Sequence, residues 1–382
     1  MPLRPGLPLL LLLVCLCLSV VSGAVTMANA RSVRVTTYNV LSSSLARADY
    51  FSFCNPSWLQ GSYRLSKLRD KIDAEVEKKS IICLQEVSTA WAGSLHGFFA
   101  SRGYHFITGL YGNKFNGYMG VGVAVPLSEY EILDADVTRI ADTKTVARTK
   151  KATPDNIVLA TLKNLQSSLK RLLRALGLLP EKKKGVWEES LNRFNQMISV
   201  RLQPKGDSDS TRAFVVGTYH MPCIFRIPQV MMIHCALSAQ HIHKYAAGAP
   251  YIYCGDFNIK PDSPMYELLT KGKVDASIPE YPAPMNEADN WKPELAAPLK
   301  SAYKELLGKE PEYTNNARIV DQEPFVETLD YIFTSEAGGW KVNDVEDLAA
   351  KHPPKDSVKE PLPSEHEPSD HVLLSAGLSF TK

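Results

Sequence analysis

Six polar residues of this chain stand at the ends of short apolar runs, where the rim of a sheet would gather them. Asn39 follows Tyr38 near the close of the run Val33 to Val40, and Glu86 follows Cys83-Leu84-Gln85. Asp256 and Asn258 come just after Tyr251 to Gly255, and Asp370-His371 precede the last apolar stretch, Val372 to Phe380. Carboxylates and amides are the oxygen donors that hard cations such as magnesium or manganese prefer. A divalent cation held among them could orient a phosphate, acidify a water and neutralise charge on a leaving oxygen. A histidine beside it could polarise the attacking water or stabilise phosphoryl oxygens. Each motif alone also has a plain backbone reading, since Gly, Asp and Asn favour turns such as Gly255-Asp256-Phe257-Asn258.

The elements that must position these groups are short and numerous. Strand-type runs recur at Val33 to Val40, Ile81 to Val87, Val121 to Val125, Ala213 to Tyr219, Tyr251 to Cys254, Leu329 to Thr334 and Val372 to Phe380. Leu65, Leu68, Ile72 and Val76 repeat at helical spacing with charges between them. Pro228 opens a second helical pattern through Val230, Ile233 and Leu237, and Ser263-Pro264 is a cap followed by a first-turn proline. Interleaved strands and helices of this kind predict a single α/β or α+β sandwich domain over 31–382.

One stretch breaks the pattern. Between Ala141 and Lys184 lie eleven Lys or Arg and three acids, although the whole chain of 382 residues carries a formal charge of only +2. Leu162, Leu165, Leu169, Leu172, Leu173 and Leu176 form an apolar stripe there, with basic residues at other positions. This reads as a basic helical insert at about 141–190, either an accessory helix with its charges in water or a brace for an anionic surface. The low overall charge argues for a short or small anionic substrate rather than for gripping long nucleic acid.

The order of the polar motifs resembles the endonuclease/exonuclease/phosphatase superfamily, carried by Thr37-Tyr38-Asn39-Val40, Leu84-Gln85-Glu86-Val87, Gly255-Asp256-Phe257-Asn258 and Ser369-Asp370-His371. Within it the chain is most similar to the deadenylase, nocturnin and Angel branch. Cys54-Asn55-Pro56-Ser57-Trp58-Leu59 with Tyr63-Arg64, Thr328-Leu329-Asp330-Tyr331-Ile332-Phe333, and Leu362-Pro363-Ser364 ahead of Pro368 carry that finer match. The resemblance implies a four-layer α/β/β/α sandwich and magnesium- or manganese-dependent hydrolysis of an adenine-containing RNA or nucleotide, by in-line attack of water. It implies Glu86 as principal metal ligand with Asn39 in support, and Asp256 as binding a second metal or activating the water. Asn258 and His220 would contact the phosphate, and Asp370 would complete the metal or histidine network. His371 would be base or transition-state stabiliser, oriented by Asp330, and Phe325 would stack on a base. The setting Tyr219-His220-Met221-Pro222-Cys223 and the glycine-rich Gly120-Val121-Gly122-Val123 depart from the branch and place a remodelled phosphate pocket in view. A lipid phosphodiesterase of the sphingomyelinase type, which shares the core motifs, and a catalytically dead binding protein of the same fold are the rival readings.

Arg4, the apolar run Leu9 to Val21 and the small residues up to Ala30 have the shape of a secretory leader over 1–30. The run is too short to span a bilayer, so a mature chain without a transmembrane helix is expected, a monomer in the secretory pathway or outside the cell. A mitochondrial or plastid presequence is the alternative. Cys83 and Cys254 read as core thiols, Cys223 and Cys235 as packing residues, and His241 with His243 as a poor metal pair because they do not share a helix face.

Overall fold

The computed structural model describes residues 31–144, 185–207, 212–320, 322–337 and 339–380. The leader and the leucine stripe of the basic insert lie outside the described residues. The first half runs β1 (Arg31–Asn39), α1 (Gly61–Glu77), β2 (Ile81–Val87), α2 (Thr89–Ala100), β3 (Tyr104–Leu110), β4 (Gly120–Pro126) and β5 (Tyr130–Arg139). Then come α3 (Val186–Leu191), β6 (Gln196–Pro204), β7 (Phe214–His220), α4 (Pro228–Ala246), β8 (Tyr251–Asp256) and α5 (Pro264–Lys271). The remainder is β9 (Leu299–Ser301), α6 (Ala302–Leu307), β10 (Asn315–Ala317), β11 (Phe325–Glu327), β12 (Asp330–Ser335), β13 (Lys341–Val345), α7 (Leu348–Lys351) and β14 (Leu374–Phe380).

The strands form two six-stranded mixed sheets, ordered β13-β14-β1-β2-β4-β3 and β5-β6-β7-β8-β12-β9, with β10-β11 as a separate hairpin. Period-two alternation decides the layering. In β2, Ile81 and Cys83 face the interior between the sheets, while Ile82 and Leu84 face α1 and α2. In β8, Ile252 and Cys254 join the same interior, while Tyr251 and Tyr253 face α4 and α5. Central strands are therefore buried on both sides, which is why they read as unbroken apolar runs. The result is the expected four-layer sandwich, helices outside and two sheets within.

The helices form for the reasons their sequences suggest. In α1, Leu68, Ile72 and Val76 are buried at helical spacing. Pro228 and Pro264 occupy first-turn positions of α4 and α5, and the Ser263 hydroxyl accepts from the Tyr266 amide at 3.3 Å as a cap. No helix among the described residues is long and apolar enough to cross a membrane.

Two buried polar contacts lock loops to this frame. Arg64 of α1, fully buried, donates at 2.6 Å to the carbonyls of Val40, Leu41 and Pro368 and stacks over Trp91. It ties the chain leaving β1 to the segment that carries Asp370 and His371. His234 of α4 donates through Nε2 to the Ser190 carbonyl at 3.0 Å and accepts at Nδ1 from the Tyr219 hydroxyl at 2.9 Å. A carbonyl only accepts, so this ring must carry its proton on Nε2. The described ends of the basic insert also pack on the body: Lys144 pairs with Asp289 at 2.7 Å, both side chains buried, beneath the rings of Trp187 and Trp291.

Burial holds the His234 pKa down at about 4, below the ordinary value of 6.5. The unfolded chain therefore binds a proton that the folded chain refuses, and stability is lost as pH falls from about 6.5 towards 4. A His234→Gln variant should show a shallower decline of Tm across that window, measured by thermal melts at several pH values. Arg64→Ala leaves three buried carbonyls without a donor and should lower stability by on the order of 3 kcal/mol in urea melts. Arg64→Lys should not restore it, because one ammonium cannot reach acceptors on two segments.

Candidate active site

Strand register brings the site together before any side chain is considered. In the second sheet His220 pairs with Asp256 across the parallel β7-β8 ladder, and Asp330 pairs with Asp256 across the antiparallel β12-β8 ladder. Three neighbouring strand ends thus present His220, Asp256 and Asp330 side by side. In the first sheet Asn39 at the end of β1 pairs with Gln85 of β2, next to Glu86. His371 arrives from the segment before β14 and bridges Asn315 of the β10-β11 hairpin.

The backbone departs from regular geometry at these points. Glu86 sits in a bulge of β2 against β4 with φ 60°, and Asn258 has φ 52°. Left-handed conformations at residues with side chains cost about 1–3 kcal/mol and persist where surroundings enforce them. At Glu86 this lifts the side chain out of the β2–β4 ladder to meet Asn39 and Ser42. Gly255 has φ 146°, and a Cβ there would lie 2.0 Å from the Tyr219 carbonyl oxygen, so only glycine lets β8 approach β7 beneath Asp256.

Asp256 is the centre. Its Oδ2 accepts from Asn39 Nδ2 at 2.9 Å and lies 3.6 Å from His220 Nε2 and 3.7 Å from His371 Nε2. Its Oδ1 accepts from the Asn258 amide at 2.9 Å. Glu86 takes Asn39 Nδ2 at 3.2 Å on one oxygen and the Ser42 amide at 2.9 Å on the other, with His220 Nε2 4.0 Å away. His371 Nδ1 meets Asp330 Oδ2 at 2.7 Å, and that oxygen also accepts from the Thr314 hydroxyl at 2.7 Å. Burial alone would lower the His371 pKa, but the carboxylates of Asp330, Asp256 and Asp370 outweigh it and hold the ring well above its ordinary value. Asp370 is raised by burial and by Glu86, against the opposing pull of His371 and Arg64.

The positions of individual residues refine the expectations drawn from sequence. Asp256, Asp330 and His371 offer ligand atoms within 4.8 Å of one another, a buried set able to hold a metal ion. The surplus of buried carboxylate oxygen, with Asp330 Oδ1 lacking a hydrogen-bond partner, fits a hard divalent cation. Asp370 stands outside this trio, within electrostatic reach of His371, Glu86 and Arg64. Asn39 presents nitrogen, not oxygen, to the carboxylates, because its Oδ1 accepts from the Leu41 amide at 3.0 Å. As placed, it cross-links Glu86 and Asp256. Asn258 Nδ2 is held by the Met221 carbonyl at 2.9 Å. Cys235 is buried, whereas Cys223 is exposed at the cleft rather than packed.

Several residues of the site were not legible in sequence. Gln85 Nε2 donates to Thr37 and Thr218 at 3.0 and 2.9 Å, joining the two sheets directly beneath Glu86. Tyr111 and Asn195 surround His220. Phe225, in the chain leaving His220, faces Phe325 with ring centroids 6.3 Å apart, and both are exposed at 51% and 36%. The atypical wording after His220 was the one sequence signal that pointed near Phe225.

A family model, the Endonuclease/Exonuclease/phosphatase family, matches residues 36–371. Carbon catabolite repressor protein 4 homolog 2 of Arabidopsis thaliana is 26% identical over 92% of this chain and 58% of its own length. The 2',5'-phosphodiesterase 12 of Homo sapiens is 24% identical over 91% of this chain and 52% of its own. The chain thus spans a little over half the length of these curated relatives. Among solved structures, ANGEL2, a 2',3'-cyclic phosphatase in complex with adenosine-2',3'-vanadate, superposes with TM-score 0.63 at 20% identity, covering 93% of this chain and 97% of that one. The human nocturnin catalytic domain gives TM-score 0.55 at 20% identity, covering 92% and 94%. Strand order, the cluster around Asp256 and the match over 36–371 together make this chain a member of the endonuclease/exonuclease/phosphatase family.

Proposed function

We propose that this chain is a divalent-metal-dependent phosphodiesterase or phosphatase acting on an adenine-containing RNA or nucleotide. The observation that carries the reading is the pair of imidazoles, His220 and His371, directed from opposite sides at Asp256 while Glu86 and Asp330 complete an acidic cleft. Asp256 and Asp330 of the buried trio, with Glu86 tied to Asp256 through the Asn39 amide nitrogen, would hold magnesium or manganese, which would supply charge neutralisation and an acidified water when bound. Asp256 orients the attacking water. His371, its Nδ1 taken by Asp330, stabilises the phosphoryl oxygens through Nε2. His220 and Asn258 hold the phosphate.

The substrate reading draws on the exposed Phe225–Phe325 pair, which offers stacking surface for a base at the edge of the cleft. It also draws on relatives whose names record 2',5'-phosphodiesterase, exoribonuclease and 2',3'-cyclic phosphatase activity. The leader-like segment 1–30 supports a secretory or extracellular location, and the basic insert at about 141–190 supports contact with an anionic surface. A lipid substrate of the sphingomyelin type finds less support, because paired exposed phenyl rings suit a planar base.

Glu86→Ala and His371→Ala should each lower turnover by about a hundredfold or more with melting curves retained. Chelation of divalent ions should abolish activity reversibly. The full chain with magnesium or manganese is to be assayed on poly(A), 2',5'- and 3',5'-oligoadenylates, nicotinamide dinucleotide phosphate, DNA and sphingomyelin. Turnover of sphingomyelin alone, or unchanged turnover in both variants, overturns the proposal. Phe325→Ala should raise KM for an adenylate about tenfold while sparing a phosphodiester that has no base.

A further inference from the structure

His220 is held by groups that the catalytic reading above does not use. Tyr111, at the end of β3 in the first sheet, reaches across the interior and places its hydroxyl 3.3 Å from His220 Nδ1. Asn195, beside β6, donates through one amide nitrogen to the His220 carbonyl at 2.9 Å and to the Tyr111 hydroxyl at 3.5 Å. The carbonyl bond fixes which end of the Asn195 amide faces this cluster, because of its two ends only the nitrogen can donate to a carbonyl. The Tyr111 oxygen therefore receives a hydrogen from Asn195 and has its own hydrogen left to place. Burial, with Glu86 and Asp256 nearby, pushes the phenol pKa up, so that hydrogen stays on the oxygen. Among the described residues, the acceptor within its reach is His220 Nδ1.

We infer that Tyr111 is a positioning residue that fixes His220 with its proton on Nε2, making this ring a hydrogen-bond donor to the substrate phosphate rather than a base. The assignment gives the Nδ1 atoms of the two cleft histidines opposite roles. His371 gives Nδ1–H to the Asp330 carboxylate and keeps Nε2 for the reaction. His220 spends Nδ1 as an acceptor and turns Nε2–H towards the space between Asp256 and Glu86, 3.6 and 4.0 Å away. Those distances exceed hydrogen-bonding range, so neither carboxylate takes the Nε2 hydrogen. A phosphoryl oxygen is the acceptor that suits the position. The inference deepens the phosphoester-hydrolase reading and rests on it for the identity of that acceptor, but the proton's place on the ring does not depend on any substrate.

The test is nitrogen NMR of the full chain labelled at histidine with nitrogen-15, recorded where the ring is neutral. A His220→Gln variant identifies the resonance by its loss. The wild-type spectrum should show Nδ1 unprotonated and Nε2 protonated, and Tyr111→Phe should bring in the Nδ1-protonated form. A wild-type ring that carries its proton on Nδ1, or a proton position unchanged by Tyr111→Phe, overturns the inference. On whichever nucleotide the chain turns over, Tyr111→Phe should lower kcat about ten- to a hundredfold with little change in KM. Absence of turnover on every phosphoester would sink the hydrolase reading while leaving the spectrum to decide the inference.

Discussion

The structure is organised around one constraint: carboxylates from two different sheets must be held close together in a buried cleft. Glu86 belongs to the first sheet and Asp256 to the second, and the amide nitrogen of Asn39 donates to both. Like charges this close repel strongly in a poorly hydrated site. The amide donor, the Ser42 and Asn258 backbone amides and the two imidazoles offset that repulsion. Beneath them Gln85 crosses from Thr37 to Thr218, so the sheet spacing is set by a polar contact as well as by the apolar interior. A divalent cation is the natural completion of such a cluster, since it removes the repulsion that the donors only reduce.

Holding the site also demands local exceptions. Glu86 and Asn258 adopt left-handed backbone, and Gly255 takes a conformation and a contact that no side chain would permit. These exceptions lie at the ends of otherwise regular strands. The regular parts supply the stability that tolerates them, through interiors where residue after residue is fully buried. Arg64 and His234 then fix the surrounding loops by satisfying backbone carbonyls that would otherwise be buried without donors.

Legibility in the sequence followed the physics of burial. Strands covered on both faces, such as β2 and β8, are continuous apolar runs and were readable with nearly their observed bounds. Strands with one open face were not. β5, Tyr130–Arg139, mixes Glu131, Asp134, Asp136 and Arg139 with Leu133 and Val137 that stay exposed, so no single period stood out. α2, Thr89–Ala100, was hidden because it is apolar nearly all round and contains two glycines, which blurs the helical stripe. Short strands such as β10 and β11 exist through their partners across the hairpin and have too few residues to carry a pattern.

By itself the sequence determined the residue types that could hold a cation and a phosphate, their attachment to strand ends, and the family to which their order belongs. Those properties are local: a carboxylate after an apolar run, a glycine where backbone must approach backbone. The tertiary structure alone decided which atoms face one another. It turned the Asn39 nitrogen to two carboxylates because Leu41 claims its oxygen, brought Tyr111 from one sheet to a histidine on the other, and paired Phe225 with Phe325 across 100 residues of chain. Such contacts join segments whose separation along the chain carries no information about their separation in space, and they depend on sheet register and stacking that only the folded chain sets.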